Sequence, residues 1–575
     1  MRKLVGLIFL LFFGFCAVAQ NNPASKSKKE GLVCNPLNLN YRFQPSNPSR
    51  REAADPTVVV FKGEYYLFAS KSGGYWYSSD LASWTYVKTD SYEVENYAPT
   101  VIVINDTLYL LGSKKAKQNI YKTHDPKSGN WEIAYKDFPI VVWDPCLFMD
   151  ENNRLYLYWG CDDVTPISAI ELNSKTFEPI GKPVVCFNSS TETLGWERYG
   201  EYNQSTRRPW IEGAWMNKYN GKYYLQYASP GTEFRSYNDA VYVSNNPLGP
   251  FEIAKHNPFS YKPGGFATGA GHGSTFKDNY GNYWHVGTMT ISVKHMFERR
   301  LCLFPTYFDK DSILYAMSRF GDYPIIIPNK KVDCPDQLFT GWMNLAVNKP
   351  VFASSELSGY PKENAVNEDI RTYWSASTGK KGEWLTVDLG SNCKVNAIQI
   401  NFGEQNTTLL DNIVPIFNQY TIESSRDNIH WSMLIDKSLN EKDLPHDFVQ
   451  LAKPIQARYV RITNVKVSDG NFAIRGLRVF GKSKGKKPKA VKNFEVKRLN
   501  VDSCVVNLKW SKVKRSAGYN IRYGNDAQKL YHTYQVTDID SLTIRSLNSK
   551  SKYFFTIEPF NECGVGKISQ VVSTF

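Results

Sequence analysis

The stretch ADPTVVVFKGEYYLFAS, residues 54–70, indicates the fold of the first half of the chain. Apolar and polar residues alternate on both sides of a short KGEYY turn, which is the pattern of a β-hairpin. Asp55 and a proline stand directly before the first strand. An acid at the mouth of one hairpin is a common turn residue, so its meaning depends on whether the pattern recurs.

The hairpin recurs four times. The further copies begin at Tyr97 (YAPTVIVINDTLYLLGS), Trp143 (WDPCLFMDENNRLYLYWG), Ile211 (IEGAWMNKYNGKYYLQYAS) and Gly271 (GHGSTFKDNYGNYWHVGT). Repeats of several tens of residues, each with one sheet, predict a β-propeller, here with five blades. The innermost strands of a propeller line one channel, so residues that head these strands converge. The sequence therefore predicts a funnel to which Asp55, Asp144 and Glu212 all point.

The rest of the chain is predicted to be all-β as well. Period-2 segments such as EWLTVDLG, VNAIQINF and ARYVRIT indicate a β-sandwich over 343–482. The lysine-rich stretch 483–490 is typical of a solvated linker. In the last segment, 491–575, Trp510 and Tyr553 suit an immunoglobulin-like sandwich of the fibronectin type III kind.

These patterns predict five segments. They are a signal peptide (1–19), a propeller (20–330), a jelly-roll sandwich (343–482), a linker (483–490) and an immunoglobulin-like domain (491–575). We expect the first sandwich to contact the propeller, because few residues separate them, and the charged linker to leave the last domain decoupled.

The N-terminal stretch MRKLVGLIFLLFFGFCAVAQ is typical of a secretory signal peptide, with cleavage expected near Ala19. We therefore expect a periplasmic or extracellular protein. The apolar run is too short to span a membrane, and no later run is longer. Phe15 is bulky where a lipoprotein signal requires a small residue, so lipidation of Cys16 is not favoured, although the sequence leaves it open.

Composition narrows the range of partners. The net charge is +14, but export makes nucleic acid an unsuitable partner. The charge is compatible with binding to an acidic polymer. It is equally compatible with lysines that are simply solvated at the surface. The chain has ten cysteines, of which Cys16 lies in the predicted signal peptide. The odd remainder in so long a chain does not indicate a disulfide framework, and the pairing stays open.

Three carboxylates in one funnel match the needs of glycoside hydrolysis. One acid protonates the leaving oxygen, and in inverting enzymes a second carboxylate activates water from the opposite face. A third can raise the pKa of the acid. Two rival acids, Glu197 and Glu201, lie in the polar insertion between the third and fourth hairpins, outside the strand register.

Residues from about Ala53 to Asp322 resemble glycoside hydrolase family 43, a family of five-bladed propeller enzymes that act with inversion. The resemblance rests on ADPTVVVFKGEYYLFAS, WDPCLFMD, IEGAWMNKYNGKYYLQYAS, NPLGPF and GAGHGSTFKDNYGNYWH. It implies that Asp55 is the general base, Asp144 the pKa modulator and orienter, and Glu212 the general acid.

The same resemblance implies further site residues. His272 matches a channel histidine that helps to hold a hydrated calcium ion, although a histidine in a turn or core would look the same. Arg299 matches an active-site arginine, with Arg300 as the adjacent alternative. Tyr97 stands where many relatives have tryptophan and is expected to contact the sugar. No protein cofactor is required, and calcium in the channel is the one ion implied.

The first sandwich resembles the discoidin, or coagulation factor type C, family. The resemblance rests on NLAVNKPVFASS, NAVNEDIRTYWSAS, GEWLTVDLG and ARYVRIT. Trp374 and Trp384 are interpreted as core residues rather than sugar platforms. Asp369 in the VNEDIRT loop is a weak candidate for a calcium ligand.

These resemblances imply a secreted, monomeric exo-glycosidase that trims side chains of plant-type polysaccharides. α-L-Arabinofuranosides are the first expected substrates, with β-D-xylosides and β-D-galactofuranosides as alternatives. A non-catalytic carbohydrate-binding protein on the same scaffold is the alternative from a different functional class.

Overall fold

A computed structural model describes residues 30–574, except 93–96, 115, 334 and 412–413. The predicted signal peptide and Cys16 lie outside the described residues. Within the described part, strands dominate, and the helices are four short 3₁₀ turns: Pro126–Ser128, Gly195–Glu197, Pro335–Leu338 and Lys362–Ala365. None of these helices has the length and apolarity needed to cross a bilayer.

Five antiparallel sheets follow one another along the first half of the chain. The first has strands Ala54–Phe61, Glu64–Ser70, Gly74–Ser78 and Thr85–Lys88. The second has Tyr97–Ile104, Thr107–Ser113, Ile120–Thr123 and Glu132–Tyr135. The third has Cys146–Met149, Leu155–Trp159, Ile167–Leu172 and Pro179–Phe187. The fourth has Glu212–Tyr219, Lys222–Ser229, Asn238–Ser244, Glu252–Ile253 and Ser260–Tyr261. The fifth has Thr268–Lys277, Tyr283–Thr290, Arg299–Phe308 and Leu314–Ala316.

These sheets are the blades of a closed propeller. The first strand of each sheet contacts the first strands of both neighbouring sheets, including the fifth with the first. Apolar side chains fill each of the five gaps between blades; Trp284 of the fifth blade, for example, packs with Leu67 of the first. The short strand Gly31–Val33 pairs with Ile325–Ile327 after the last blade. The predicted five-bladed architecture is confirmed.

The same backbone distortion occurs near the head of every inner strand. One residue in each blade has a left-handed conformation, with φ between 39° and 65°: Asp55, Ala98, Asp144, Gly213 and His272. In the first, second, fourth and fifth blades the pairing register shifts at this residue, as in a β-bulge. A bulge redirects the side chains beside it, so the head of each strand is aimed differently from the strand that follows.

The second part of the chain is an antiparallel sandwich. Its strands are Met343–Asn344, Val351–Ala353, Trp374–Ser375, Trp384–Phe402, Gln419–Ser425, Trp431–Lys437, His446–Lys466 and Ala473–Lys482. Trp374 is fully buried in its core, as predicted. Trp384 is only partly buried: its ring lies 4.9 Å from the guanidinium of Arg461, which also stacks on Trp431. The interpretation of Trp384 as a core residue is therefore wrong.

The last part has two facing sheets. One has Glu495–Arg498, Val506–Lys509 and Ser541–Ile544; the other has Gly518–Gly524, His532–Thr537, Phe554–Asn561, Gly564–Val565 and Val572–Ser573. Trp510 lies in the core between them. The hydroxyl of Tyr553 accepts a hydrogen bond from the backbone N–H of Asn548 at 3.0 Å, the contact of a tyrosine corner. Assignment to the fibronectin type III family stays a prediction.

Both sandwiches are docked on the propeller. As expected, the first contacts it through many groups, including Arg475, whose guanidinium lies 2.9 Å from the carboxylate of Glu298. The last sandwich contacts it too: the rings of Tyr315 and Tyr531 stack at 3.9 Å, and Arg198 donates to Asp502 at 3.1 Å. The expectation of a decoupled last domain is therefore wrong, because the linker's charge does not determine which surfaces the domain can bury.

The eight cysteines of the described residues are all unpaired.

Candidate active site

The heads of the inner strands bring together most of the predicted site residues. We call this mouth of the channel the funnel and define it by Asp55, Asp144, Glu212, His272 and Arg299. His272 lies at its centre: Nδ1 is 3.3 Å from a carboxylate oxygen of Asp55 and 3.6 Å from one of Asp144. Convergence from four blades follows from the repeated bulge, which aims one end of every inner strand into the same space.

Asp55 is buried and surrounded by donors. Ser70 Oγ donates to its carboxylate at 2.7 Å, and the guanidinium of Arg299 donates to both carboxylate oxygens at 3.2 and 3.4 Å. Its backbone N–H donates to the Thr288 hydroxyl of the fifth blade at 2.9 Å. Charge-assisted hydrogen bonds of this kind stabilise an ionised carboxylate and fix its orientation.

Asp144 and Glu212 form a close pair beside the thiol of Cys161. One ligand atom from each of these three side chains lies within 4.8 Å of the others. Cys161 Sγ donates to Glu212 Oε2 at 3.3 Å, and Tyr237 donates its hydroxyl to the other oxygen of Glu212. Two carboxylates this close do not both ionise readily, so the pair retains a proton to a higher pH than either would alone.

The raised pKa falls on Asp144. Burial is the largest cause, and the carboxylates of Glu212 and Asp55 add to it, so that the pKa of Asp144 rises to about 7 although His272 opposes the shift. The sequence predicts instead that Glu212 carries the proton and that Asp144 raises the pKa of Glu212. Because the groups are coupled, we assign the proton to the pair rather than to one member.

The acids of the funnel favour the charged form of His272. Burial alone would lower its pKa, but the carboxylates of Asp55, Asp144 and Glu212 outweigh burial and raise it. Among the described residues, the one set of side chains close enough to share a metal ion is Asp144, Cys161 and Glu212. This set contains a thiol and lacks His272, so it does not suit calcium, which prefers oxygen ligands. Calcium at His272 through water, or at Asp369, stays a prediction.

The structure separates the two adjacent arginines. Arg299 faces the funnel. Its Nη1 donates to Asp55, and its Nη2 donates to the buried carboxylate of Glu52 at 2.7 Å. Arg300 points away and donates to His446 of the first sandwich at 3.0 Å. Tyr97 is half-buried beside Arg299, whose guanidinium carbon lies 6.0 Å from the ring centroid.

The rival acids of the insertion lie outside the funnel. Glu197 is fully buried, accepts a hydrogen bond from the Tyr227 hydroxyl at 2.6 Å, and has its pKa raised to about 7 by burial. Glu201 accepts from Arg371 of the first sandwich at 2.6 Å. Both are structural residues, one within the propeller and one between domains.

Several residues of the site were missed in the sequence. Glu52, Cys161 and Tyr237 stand in no repeated position, so the hairpin pattern carried no signal for them. Ser70 and Ser113 did carry one: they end the second strands of the first two hairpins, LFAS and LLGS. Each accepts a hydrogen bond from a backbone N–H at the head of the next blade. Ser70 accepts from Ala98 at 2.6 Å, and Ser113 accepts from Asp144 at 2.7 Å.

Two regions of the chain match known families. Residues 46–314 match the family described as glycosyl hydrolases family 43. These residues form a family 43 glycoside hydrolase domain. Residues 350–476 match the F5/8 type C domain and belong to the first sandwich.

Three curated relatives share part of this sequence. A β-xylosidase of Xylanibacter ruminicola is 27% identical over 145 residues, 22% of this chain and 41% of that protein. An arabinoxylan arabinofuranohydrolase of Paenibacillus polymyxa is 28% identical over 160 residues, 25% of this chain and 22% of that protein. A β-D-galactofuranosidase of Aspergillus niger is 33% identical over 145 residues, 25% of this chain and 36% of that protein. The match thus spans less than half of each relative.

Among solved structures, one titled glycoside hydrolase is 19% identical, with a TM-score of 0.45, over 77% of this chain and 99% of that chain.

Proposed function

We propose that the family 43 domain is an inverting exo-glycosidase that removes terminal α-L-arabinofuranosyl residues from plant-type polysaccharides. The observation that carries this proposal is the asymmetry of the funnel. Asp55 is held by the cation of Arg299, whereas burial and the nearby carboxylate of Glu212 raise the pKa of Asp144 to about 7. One side of the funnel thus favours a base and the other an acid, which is the division that inversion requires.

The roles follow from these surroundings. Asp55, which contacts Arg299 and His272, accepts a proton from the attacking water. Glu212, held by Tyr237 and Cys161, donates a proton to the leaving oxygen as the glycosidic bond breaks. Asp144 maintains that proton through its negative charge and its proximity. The product sugar then has the opposite anomeric configuration, since water attacks from the face opposite the leaving group.

The substrate rests on the relatives rather than on the funnel. Their names include an arabinofuranohydrolase, a xylosidase and a galactofuranosidase. α-L-Arabinofuranose and β-D-galactofuranose share ring stereochemistry, so both remain candidates beside β-D-xylose. A screen of aryl furanosides and pyranosides, followed by arabinan, xylan and arabinogalactan, separates them. Binding without hydrolysis across the whole panel would indicate a non-catalytic carbohydrate-binding protein instead.

The proposal includes export of the mature chain as a monomer, with cleavage near Ala19. Mass spectrometry of the secreted protein tests the cleavage site, and light scattering tests the oligomeric state.

The catalytic roles are tested by changing the leaving group. Asp55→Asn removes the base, and Glu212→Gln removes protonation of the leaving oxygen, which contributes about 10²–10⁴-fold. We expect an aryl glycoside with a good leaving group to rescue Glu212→Gln in part, because it needs little protonation. It should not rescue Asp55→Asn. Equal rescue of both variants in steady-state kinetics would mean that the roles are assigned wrongly.

A further inference from the structure

A cleft of about 320 Å³ lies where the three domains meet. We call it the three-domain cleft. The propeller contributes Tyr202 and Arg235, the first sandwich Asp369, and the last sandwich Tyr534 and Gln535. No single domain encloses it, so it exists only in the docked arrangement.

The cleft is adjacent to the funnel. Thr232 accepts a hydrogen bond from Arg299 at 3.3 Å, and Tyr237 donates to Glu212. Arg235, which lies between these two residues in the chain, lines the cleft. One short segment of the fourth blade therefore contacts the funnel at both ends and the cleft in its middle.

The lining includes an exposed aromatic ring, on which one face of a sugar can stack. Tyr202 is 48% exposed, and the guanidinium carbon of Arg235 lies 5.2 Å from its ring centroid. The arginine thus holds one face of the ring, and the exposed remainder can stack against the C–H face of a sugar.

One buried acceptor in the cleft is unused. Gln535 is 8% exposed, and its Oε1 accepts no hydrogen bond from the described residues. A buried acceptor without a donor is unfavourable, and a ligand hydroxyl would satisfy it. Beside it, Gly265 has φ +95°, and a Cβ placed there would lie 2.8 Å from this oxygen. The same Cβ would also clash with Lys262 Nζ and with a carboxylate oxygen of Asp322, so the glycine is required for the close packing around Gln535.

The charges of the cleft are largely compensated. Arg235 pairs with Glu201 at 3.3 Å, and Glu368 pairs with Arg478 at 3.0 Å. One oxygen of Asp369 already accepts from the backbone of Arg371 at 3.0 Å. The cleft therefore suits a neutral ligand with many hydroxyls better than an ion.

From this geometry we infer that the three-domain cleft binds a neutral segment of the polysaccharide, away from the bond that the funnel cleaves. The inference rests on the proposed function, since it takes the ligand to be the same polymer. Occupation of the cleft would position the polymer and lower its KM, without touching the reacting atoms.

The test uses the full chain and two tyrosines with the same exposure. Tyr202→Ala removes the platform and Tyr202→Phe keeps it. Tyr280→Ala is the control, because Tyr280 is also 48% exposed but lies in the turn at the far end of the fifth blade. We expect Tyr202→Ala to raise KM for the polysaccharide about 3- to 10-fold. The kcat/KM for the aryl glycoside should be unchanged, and Tyr202→Phe should behave like the parent protein.

Gln535→Met, which keeps the shape of the side chain and removes the acceptor, should also raise the KM for the polymer. If Tyr202→Ala and Tyr280→Ala give the same polymer KM, the inference is wrong. If the parent protein hydrolyses no glycoside, the proposed function fails instead. In that case, calorimetric titration with arabinohexaose and xylohexaose tests the cleft directly: loss of binding in Tyr202→Ala alone supports it, and equal binding in both variants overturns it.

Discussion

Asp144 lies where burial and two neighbouring carboxylates oppose ionisation, and its pKa is raised to about 7. The pair that it forms with Glu212 therefore holds its proton in acid solution and loses it as the pH rises through about 7. Because the proposed mechanism needs that proton, activity should decline on the alkaline side of this pH.

Replacement of Asp144 tests this coupling. Asp144→Asn removes the like charge that helps to keep the proton on the pair. We expect the alkaline limb of the kcat/KM profile to move to lower pH, with a lower maximal rate. Asp150→Asn, at the other end of the same strand, should leave the profile in place. An unshifted alkaline limb in Asp144→Asn would show that Asp144 does not control the proton.

At the scale of one strand, the left-handed residue near its head decides where the site residues point. In the fourth blade this residue is Gly213, which directly follows Glu212 and has φ 65°. A Cβ on Gly213 would lie 2.7 Å from the ring of His272. The glycine is therefore required by the close approach of the histidine as well as by its own backbone.

Gly213→Ala should displace His272 and reduce kcat by about 100-fold or more, since small misplacements in a site have effects of this size. Gly221→Ala is the matched control: Gly221 also has positive φ (76°), but nothing lies within 4 Å of the added carbon. It should lose only about 1 kcal/mol of stability and keep its activity. Retained activity in Gly213→Ala would contradict the tight packing at the head of the strand.

The blades were predictable from the sequence because each repeats one local pattern, alternation around a polar turn. That pattern also placed Asp55, Asp144 and Glu212 at equivalent positions. The bulges were less visible, because Asp, Ala, Gly and His occupy the left-handed position in different blades. Contacts between blades, such as Cys161 with Glu212, depend on how the ring closes, which no local pattern reports.

The docking of the last sandwich shows the same limit at a larger scale. A lysine-rich linker indicates solvent exposure of the linker itself. It does not predict that Tyr531 stacks on Tyr315 or that Asp502 pairs with Arg198, since the members of each pair are far apart in the chain.

For the whole molecule, removal of the last sandwich is the direct test of this docking. A chain that ends near Gly481 exposes apolar surface on the propeller. This surface includes the ring of Tyr315, which stacks on Tyr531, and the ring of Phe320, which packs edge to face against Phe560. We expect a lower melting temperature than that of the full chain, and a higher KM for polymer. Calorimetry of both lengths checks this; an unchanged melting temperature would mean that the contacts contribute nothing to stability.

The interface of the first sandwich is held by buried charge. Glu404 contacts Arg51, Arg300 and Arg475 at 3.2–3.5 Å. Burial by itself raises the pKa of Glu404, but these arginines outweigh it and lower the pKa to about 2. A lowered folded-state pKa means that the contribution of Glu404 to stability is complete above its ordinary pKa and is lost as the pH falls towards 2.

Glu404→Gln should therefore destabilise the protein by about 3–5 kcal/mol at neutral pH, because it removes the one negative charge that three buried arginines share. The difference from the parent should shrink as the pH falls from about 4.5 towards 2. Glu363→Gln is the control in the same domain, since its pair with Lys362 is exposed. Chemical denaturation of each variant at several pH values provides the measurement.

The charges that join the first sandwich to the propeller also restrict how such domains are exchanged between proteins. Arg300 and Glu298 flank Arg299 in the chain, and each has its buried partner on the sandwich. A propeller recombined with a foreign sandwich would bury both charges unpaired, directly beside the residue that holds Asp55. We therefore expect the two domains to be inherited together. A gene fusion that exchanges the sandwich must also change the interface residues of the propeller.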